Sequence, residues 1–128
     1  MSAKRKKVEL EFIFRASPTI IYNFVTTPAC LVRWYCDEVD ITNDVYTFYW
    51  SGSSEVAYLI DDIEDERVRF EWEASKYANE YLEFRMYRSD ITNETILEIT
   101  DFCDEDEEQE VKDLWSSLVV ELRKECGG

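Results

Sequence analysis

Hydrophobic and polar residues alternate along most of this chain, and the alternation predicts a series of strands. The stretch VELEFIFR, residues 8–15, is the first of them. Five further stretches follow the same pattern: residues 45–51, 53–63, 66–73, 80–89 and 94–102. Because the connections between them are short, we expect an antiparallel meander with one face turned toward a core.

Two short helices are predicted between the first strand and the rest. Ser17 precedes Pro18, which is the pattern of a capping residue followed by proline at the first helical position. Thr27 and Pro28 repeat that start signal, so a second short helix should run through Leu31 and Trp34. Residues 37–41 should leave this helix in extended form.

The end of the chain predicts one long amphipathic helix. Its apolar residues recur with helical spacing over residues 104–125, at Val111, Leu114, Trp115, Leu118, Val119 and Leu122. Asp104 and Glu107 have the spacing of a capping box at its start. A curved antiparallel sheet around this helix is the simplest way to bury both apolar faces, so the fold class is α+β. A cavity between sheet and helix would be a natural by-product.

Large side chains dominate the predicted inner face, and they allow two interpretations. The set consists of Phe48, Trp50, Tyr58, Phe70, Trp72, Phe84 and Met86 on the strands, facing Trp115, Leu118 and Leu122 on the long helix. These residues either line a pocket for a lipid, a sterol or an aromatic molecule, or fill the space as an ordinary core. The pattern does not choose between the two.

Two further residues are candidates for the same pocket. Trp34 could line its mouth, although packing in the core is the interpretation we favour. Asp101 has the parity of the inward-facing residues Leu97 and Ile99, so its carboxylate could orient a polar head group or act as a base. We favour the alternative that the strand has ended by then, which would leave Asp101 solvated or capping a turn.

Composition excludes several classes of function. The chain has 128 residues, with 29 acidic and 14 basic side chains and a net charge of −15, which argues against nucleic acid as a partner. It has no histidine, which removes His-dependent catalysis, and its three glycines cannot form a phosphate-binding loop. We predict no catalytic residues, no metal site and no cofactor, and we interpret the acidic run over residues 104–110 as a solvated helix start.

The chain length predicts a single domain over residues 8–126, preceded by a basic tail over residues 1–7. No secretory pattern and no apolar stretch of membrane-spanning length is found in the sequence. The four cysteines form no CxxC pair, so we expect reduced thiols and a cytoplasmic protein, with Cys36 as an inert thiol.

The predicted outer face of the sheet is enriched in tyrosine and arginine. Ile13, Tyr49, Tyr81 and Tyr87 should be exposed there, near several arginines. Such enrichment is typical of protein interfaces, so this face is either a homodimer or partner surface or an ordinary amphipathic sheet.

Three segments carry a resemblance to a known family. These are SPTIIYNFVTTPACLVRWYCD after the first strand, RVRFEWE in mid-sheet, and TILEITDF followed by a helix with LWSSLVVEL. The chain resembles the helix-grip fold of the START-like (SRPBCC) superfamily, which includes the birch-pollen allergen type. Within it, the chain is most similar to the branch of the C-terminal domain of activators of the heat shock protein 90 ATPase. The acidic start of the last helix resembles small stand-alone bacterial members.

The resemblance implies a START-like domain over residues 8–126 with three possible roles. The leading hypothesis is binding of a small hydrophobic ligand between sheet and long helix. The alternative is a protein-interaction module of co-chaperone type. A cyclase-like or aromatase-like enzyme is the third, and for it only Asp101, Tyr58 and Thr95 offer inward polar groups.

Overall fold

A seven-stranded sheet and three helices make up residues 4–128, the part of the chain that the computed structural model describes. The strands are β1 Arg5–Phe14, β2 Glu38–Thr42, β3 Val45–Trp50, β4 Ser53–Ile63, β5 Arg67–Trp72, β6 Leu82–Arg88 and β7 Thr95–Asp104. The helices are α1 Pro18–Thr26, α2 Pro28–Leu31 and α3 Glu108–Cys126.

The sheet is antiparallel throughout and has the order β1-β7-β6-β5-β4-β3-β2. Every neighbouring pair except β1 and β7 consists of strands that follow each other along the chain. Strands β2 to β7 therefore form a meander, and β1 lies beside β7 as an edge strand. Helix α3 packs against β1, β7 and α1. The predicted α+β helix-grip architecture is therefore confirmed.

The start of α1 follows from its capping residue. Ser17 has extended backbone, and its Oγ accepts a hydrogen bond of 3.3 Å from the backbone N–H of Ile20, as the sequence predicts. Pro18 fills the first helical position, where no N–H is needed. Helix α3 ends at Gly127, whose φ of 90° places it in the left-handed region that favours glycine.

Two element starts differ from the prediction. Strand β1 begins at Arg5 and pairs with β7 up to Asp104, so residues 5–7 are not part of a tail. Residues 1–3 of the predicted tail lie outside the described residues. The capping box of Asp104 and Glu107 does not form, because Asp104 Oδ1 accepts a hydrogen bond from Arg5 Nη1 and a short 3₁₀ turn precedes α3.

The orientation predicted for β4 is wrong. Tyr58, expected on the inner face, is 38% exposed on the outer one, and its hydroxyl donates to Glu73. The inner face of β4 carries Ala57 instead, which is completely buried and pairs with Tyr46 and Trp72 on the neighbouring strands. Leu59 shares this inner face and packs against the core, whereas Tyr58 and Ile60 are exposed.

The interior between sheet and helices is filled by aromatic and aliphatic side chains. Phe84 makes edge contacts with Trp34 and Trp115, at centroid distances of 6.2 and 5.7 Å. Phe48 contacts Phe70 in the same way at 6.1 Å. These side chains therefore pack the centre of the molecule as an ordinary core would.

Candidate functional site

An open cleft of about 510 Å³ lies between α3 and one end of the curved sheet. This end, formed by the end of β3, the start of β4 and β7, is called the sheet mouth. The cleft is lined by Tyr35, Trp50, Ser53, Glu55, Asp101, Leu114, Trp115 and Leu118. These side chains come from the turn after α2, from the end of β3, the start of β4, β7 and α3. The cleft therefore borders the aromatic core on one side and solvent on the other.

Three aromatic rings form the inner wall of this cleft. Tyr35 stacks on Trp115 with ring planes 14° apart and centroids 6.0 Å apart. It meets Trp50 edge-on, at 5.6 Å and 73°. Trp50 Nε1 donates a hydrogen bond of 2.7 Å to the backbone carbonyl of Tyr35, which holds the turn after α2 against β3. The aromatic residues at the end of α2 are thus shared between core and cleft.

Asp101 is the oriented polar group of the cleft. Its Oδ2 accepts a hydrogen bond of 2.9 Å from Trp115 Nε1, and its Oδ1 accepts one of 2.8 Å from the backbone N–H of Phe102. Burial raises the pKa of the Asp101 carboxyl, and these two hydrogen bonds oppose that rise. The strand continues to Asp104, so the interpretation of Asp101 as a solvated turn residue is wrong.

A second, smaller cleft of about 320 Å³ adjoins the first and shares Glu55 and Asp101 with it. Trp72 and Tyr77 are among the residues that line it. Arg5 lies at its edge and is fixed there by ion pairs of 2.6 Å with Glu80 and 2.8 Å with Asp104. The guanidinium also lies 4.2 Å above the Tyr77 ring.

The structure divides the twelve sequence candidates into three groups. The first group lines the two clefts and consists of Trp50, Trp72, Asp101, Trp115 and Leu118. The second is buried in the core and consists of Trp34, Phe48, Phe70, Phe84, Met86 and Leu122. Tyr58 stands alone on the outer face. Within the core group, Trp34 Nε1 donates to the carbonyl of Phe24 at 2.8 Å, which matches the core role that we favoured.

Four residues of the main cleft were not among the candidates: Tyr35, Ser53, Glu55 and Leu114. Leu114 was expected within the apolar stripe of α3, yet it is 57% exposed at the rim. Ser53 and Glu55 lie in a polar stretch that has no apolar pattern to mark it. For Tyr35 the sequence gives one indication of a place in the cleft, namely that it directly follows Trp34 at the point where the chain leaves α2 for the sheet.

The cysteines and the acidic start of α3 lie outside the two clefts. All four cysteines are free, and burial raises the pKa of the Cys36 thiol to about 11, which leaves it unreactive near neutral pH. Carboxylate oxygens of Asp104, Asp106 and Glu107 lie within 4.8 Å of one another. Two of these three side chains are exposed, as expected of a solvated helix start. Across residues 4–128, no helix combines the length and apolar character that a membrane crossing requires.

Comparison with known proteins identifies the family. The model of the START-like superfamily domain matches residues 1–128. The chain belongs to the START-like superfamily. The resemblance inferred from the sequence is thereby confirmed. A comparison with curated proteins found no match.

Solved structures of START-like shape agree with this assignment. The solution structure of BfR322 from Bacteroides fragilis is 32% identical, with a TM-score of 0.68 over 96% of this chain and 92% of that one. The Aha1 dimer from Colwellia psychrerythraea is 16% identical, with a TM-score of 0.79 over 94% and 96% of the two chains. DynU16, a protein of the dynemicin biosynthetic locus, is 16% identical, with a TM-score of 0.77 over 92% of this chain and 46% of its own. The last two show a shared fold.

Proposed function

We propose that this START-like domain binds a small, largely apolar ligand, a lipid or an aromatic molecule, in the cleft between the sheet mouth and α3. One observation carries the proposal: a space of about 510 Å³ has three aromatic walls and a single oriented carboxylate at Asp101. Small-molecule sites are typically concave, mostly apolar and equipped with a few placed polar groups. The volume also lies in the range of about 300–1,000 Å³ that such sites have.

The packing of the interior supports this position for the ligand. Rings of the core group contact each other directly, as in the edge contacts of Phe84 with Trp34 and Trp115. A ligand placed there would have to displace them, at a cost of several kcal/mol per side chain. A ligand in the cleft needs only to cover surface that is already open, including the exposed Leu114.

A fluorescence titration tests the proposal. N-phenyl-1-naphthylamine, a neutral apolar fluorophore excited directly, should brighten when it enters the cleft. Ser53→Phe places a ring in the cleft and should weaken binding about tenfold or more. Ser54→Phe is the matched control, because Ser54 pairs with Tyr49 on the opposite face from Ser53, which pairs with Trp50. Equal binding by both variants and the wild type would contradict the proposed site.

A protein-interaction role is the second candidate, and the structural likeness to the Aha1 dimer favours it. The outer sheet face offers apolar and aromatic surface for such a role at Ile13, Tyr58 and Tyr87, which are all exposed. Sedimentation velocity at increasing protein concentration tests whether two copies associate. A dimer that Tyr87→Glu dissociates would support this role, and a strict monomer at high concentration would contradict the homodimer.

We propose binding without catalysis, and we keep the cytoplasmic location as a prediction from cysteine usage. The likeness to DynU16, a protein of a biosynthetic locus, keeps an enzymatic role as the third alternative. Asp101 is the cleft group suited to proton exchange, since its pKa is raised and it is oriented by Trp115. Turnover of a bound ligand that Asp101→Asn abolishes would overturn the binding-only proposal.

A further inference from the structure

The cleft has a one-sided charge. Two of its lining residues, Glu55 and Asp101, carry carboxylates, and no lysine or arginine of residues 4–128 lines it with them. The pKa of the Tyr35 hydroxyl is raised, first by burial and then by the negative charges of Asp101 and Glu55. Both carboxylates therefore act on the same enclosed ring.

Neither carboxylate has an ion-pair partner among residues 4–128. Arg5 and Lys76 line the adjoining cleft, where Arg5 makes its ion pairs with Glu80 and Asp104. The positive charge of Arg5 also favours the ionised form of Asp101, without a direct ion pair between them. Asp101 accepts two hydrogen bonds, yet a carboxylate has about four lone-pair sites, so it can accept another. Asp101 therefore has the capacity to accept a hydrogen bond from a cationic ligand.

The aromatic walls favour the same kind of ligand. The faces of Trp and Tyr rings attract cations, and clusters of such rings recognise ammonium groups. Tyr35, Trp50 and Trp115 supply three rings next to the two carboxylates. The net charge of −15 also raises the local concentration of cations around the molecule.

We infer that the cleft selects a monocationic ligand, an ammonium group on an aromatic or alicyclic body. The ammonium group lies between Asp101 and Glu55, and the apolar body packs on Tyr35, Trp50 and Leu118. This inference rests on the proposed function, because it names the ligand class of the same cleft.

Three probes of nearly equal shape test the inference. 4-Phenylbutylamine is a cation at neutral pH, 4-phenylbutan-1-ol is neutral and 4-phenylbutyrate is an anion. Their dissociation constants are measured by calorimetry at constant pH and low salt. We expect the amine to bind about tenfold more tightly than the alcohol, since a hydrogen bond to a charged partner contributes that much or more. The butyrate should bind most weakly.

Charge-removing variants connect this preference to the two carboxylates. Asp101→Asn keeps an oxygen acceptor for Trp115 Nε1, and Glu55→Gln keeps the side-chain length. Each should bring the amine close to the alcohol in affinity. Glu71→Gln is the control, because it removes the same charge from an exposed position on the outer face of β5. It should preserve the preference.

The outcomes separate the inference from the proposed function. If the alcohol or the butyrate binds as tightly as the amine, the cleft binds apolar ligands and the charge selection is wrong. If Glu71→Gln reduces the preference as much as Asp101→Asn does, the effect belongs to the overall field and the inference is wrong. If none of the three probes binds at millimolar concentration, both the proposed function and the inference are overturned.

Discussion

Trp115 connects the packed core to the cleft, and replacing it tests both at once. The indole is 3% exposed, stacks on Tyr35 and makes an edge contact with Phe84. Its Nε1 also donates to Asp101 Oδ2 at 2.9 Å. Trp115→Phe keeps a ring against both aromatic neighbours and removes the donor, so its largest effect should come from the partly buried carboxylate.

The magnitude follows from these contacts. A hydrogen bond to a charged group contributes about 1.5–3 kcal/mol, and after this substitution Asp101 keeps only the bond from the backbone N–H of Phe102. With the smaller ring volume added, Trp115→Phe should lower the free energy of unfolding by about 2–4 kcal/mol. Trp115→Ala, which leaves a cavity beside Phe84, should cost about 3–5 kcal/mol. Either loss is a large share of the ~5–15 kcal/mol typical of a whole domain.

Urea denaturation followed by far-ultraviolet circular dichroism measures these changes, and a double-mutant cycle isolates the hydrogen bond. In the Asp101→Asn background the group left behind is a neutral amide. Trp115→Phe should therefore cost about 1 kcal/mol less there than in the wild type. Equal costs in both backgrounds would refute the role of Trp115 in orienting Asp101. Unchanged stability of Trp115→Ala would show that the indole borders open space and not a packed core.

Three further predictions concern single groups. Because burial raises the pKa of Asp101 in the folded protein, the folded state holds this proton more tightly than the unfolded chain does. The wild type should therefore lose stability relative to Asp101→Asn as the pH rises from about 4 through that raised pKa. Urea denaturation across the pH range measures the difference, and a pH-independent difference would contradict the burial of this charge. Thr95→Val should raise the midpoint of thermal unfolding, by about 1 kcal/mol in stability, because Thr95 Oγ1 is fully buried without a partner among residues 4–128. A clear loss of stability would mean that the hydroxyl has a partner. Ser17→Ala should cost about 1 kcal/mol in denaturation experiments by removing the cap of α1, whereas Ser17→Gly should cost a few tenths. Equal losses for the two substitutions would argue against the cap.

The fold was predictable because each element repeats one simple period. Alternation in β5 puts Val68, Phe70 and Trp72 on one face, and helical spacing in α3 puts Trp115, Val119 and Leu122 on another. These faces can be buried only against each other. Short connections then leave an antiparallel meander as the natural order.

The errors occurred where tertiary contacts outweigh local pattern. The start of β1 has no apolar residue to mark it, and its pairing is stabilised by ion pairs of Arg5 with Glu80 and Asp104, far away in the sequence. In β4 the alternation places Val56, Tyr58 and Ile60 in one set and Ala57 with Leu59 in the other. Only the rings of the neighbouring strands decide that the small residue faces inward.

The site was harder to predict than the fold because lining a cleft is a property of position. Phe84 and Trp115 are both aromatic residues on the apolar faces of their elements, and their rings contact each other. Only Trp115 also borders the main cleft. Glu55 lies in a polar stretch, and only the fold places it in the same clefts as Asp101. Asp101 was the one polar cleft residue that the sequence indicated, because it alternates in step with the inward-facing Leu97 and Ile99. It lines the cleft because β7 continues past it to Asp104.

The indole N–H signals of the four tryptophans test the central claim most directly, since each gives one resolved peak in a ¹⁵N correlation spectrum. Titration with neutral 4-phenylbutan-1-ol should shift the signals of Trp50 and Trp115, which line the main cleft. The signal of Trp34, bonded to the Phe24 carbonyl inside the core, should stay in place. Saturable shifts with this pattern would support ligand binding in the cleft. Shifts at Trp34 without Trp50 and Trp115, or no shifts at any of them, would contradict it.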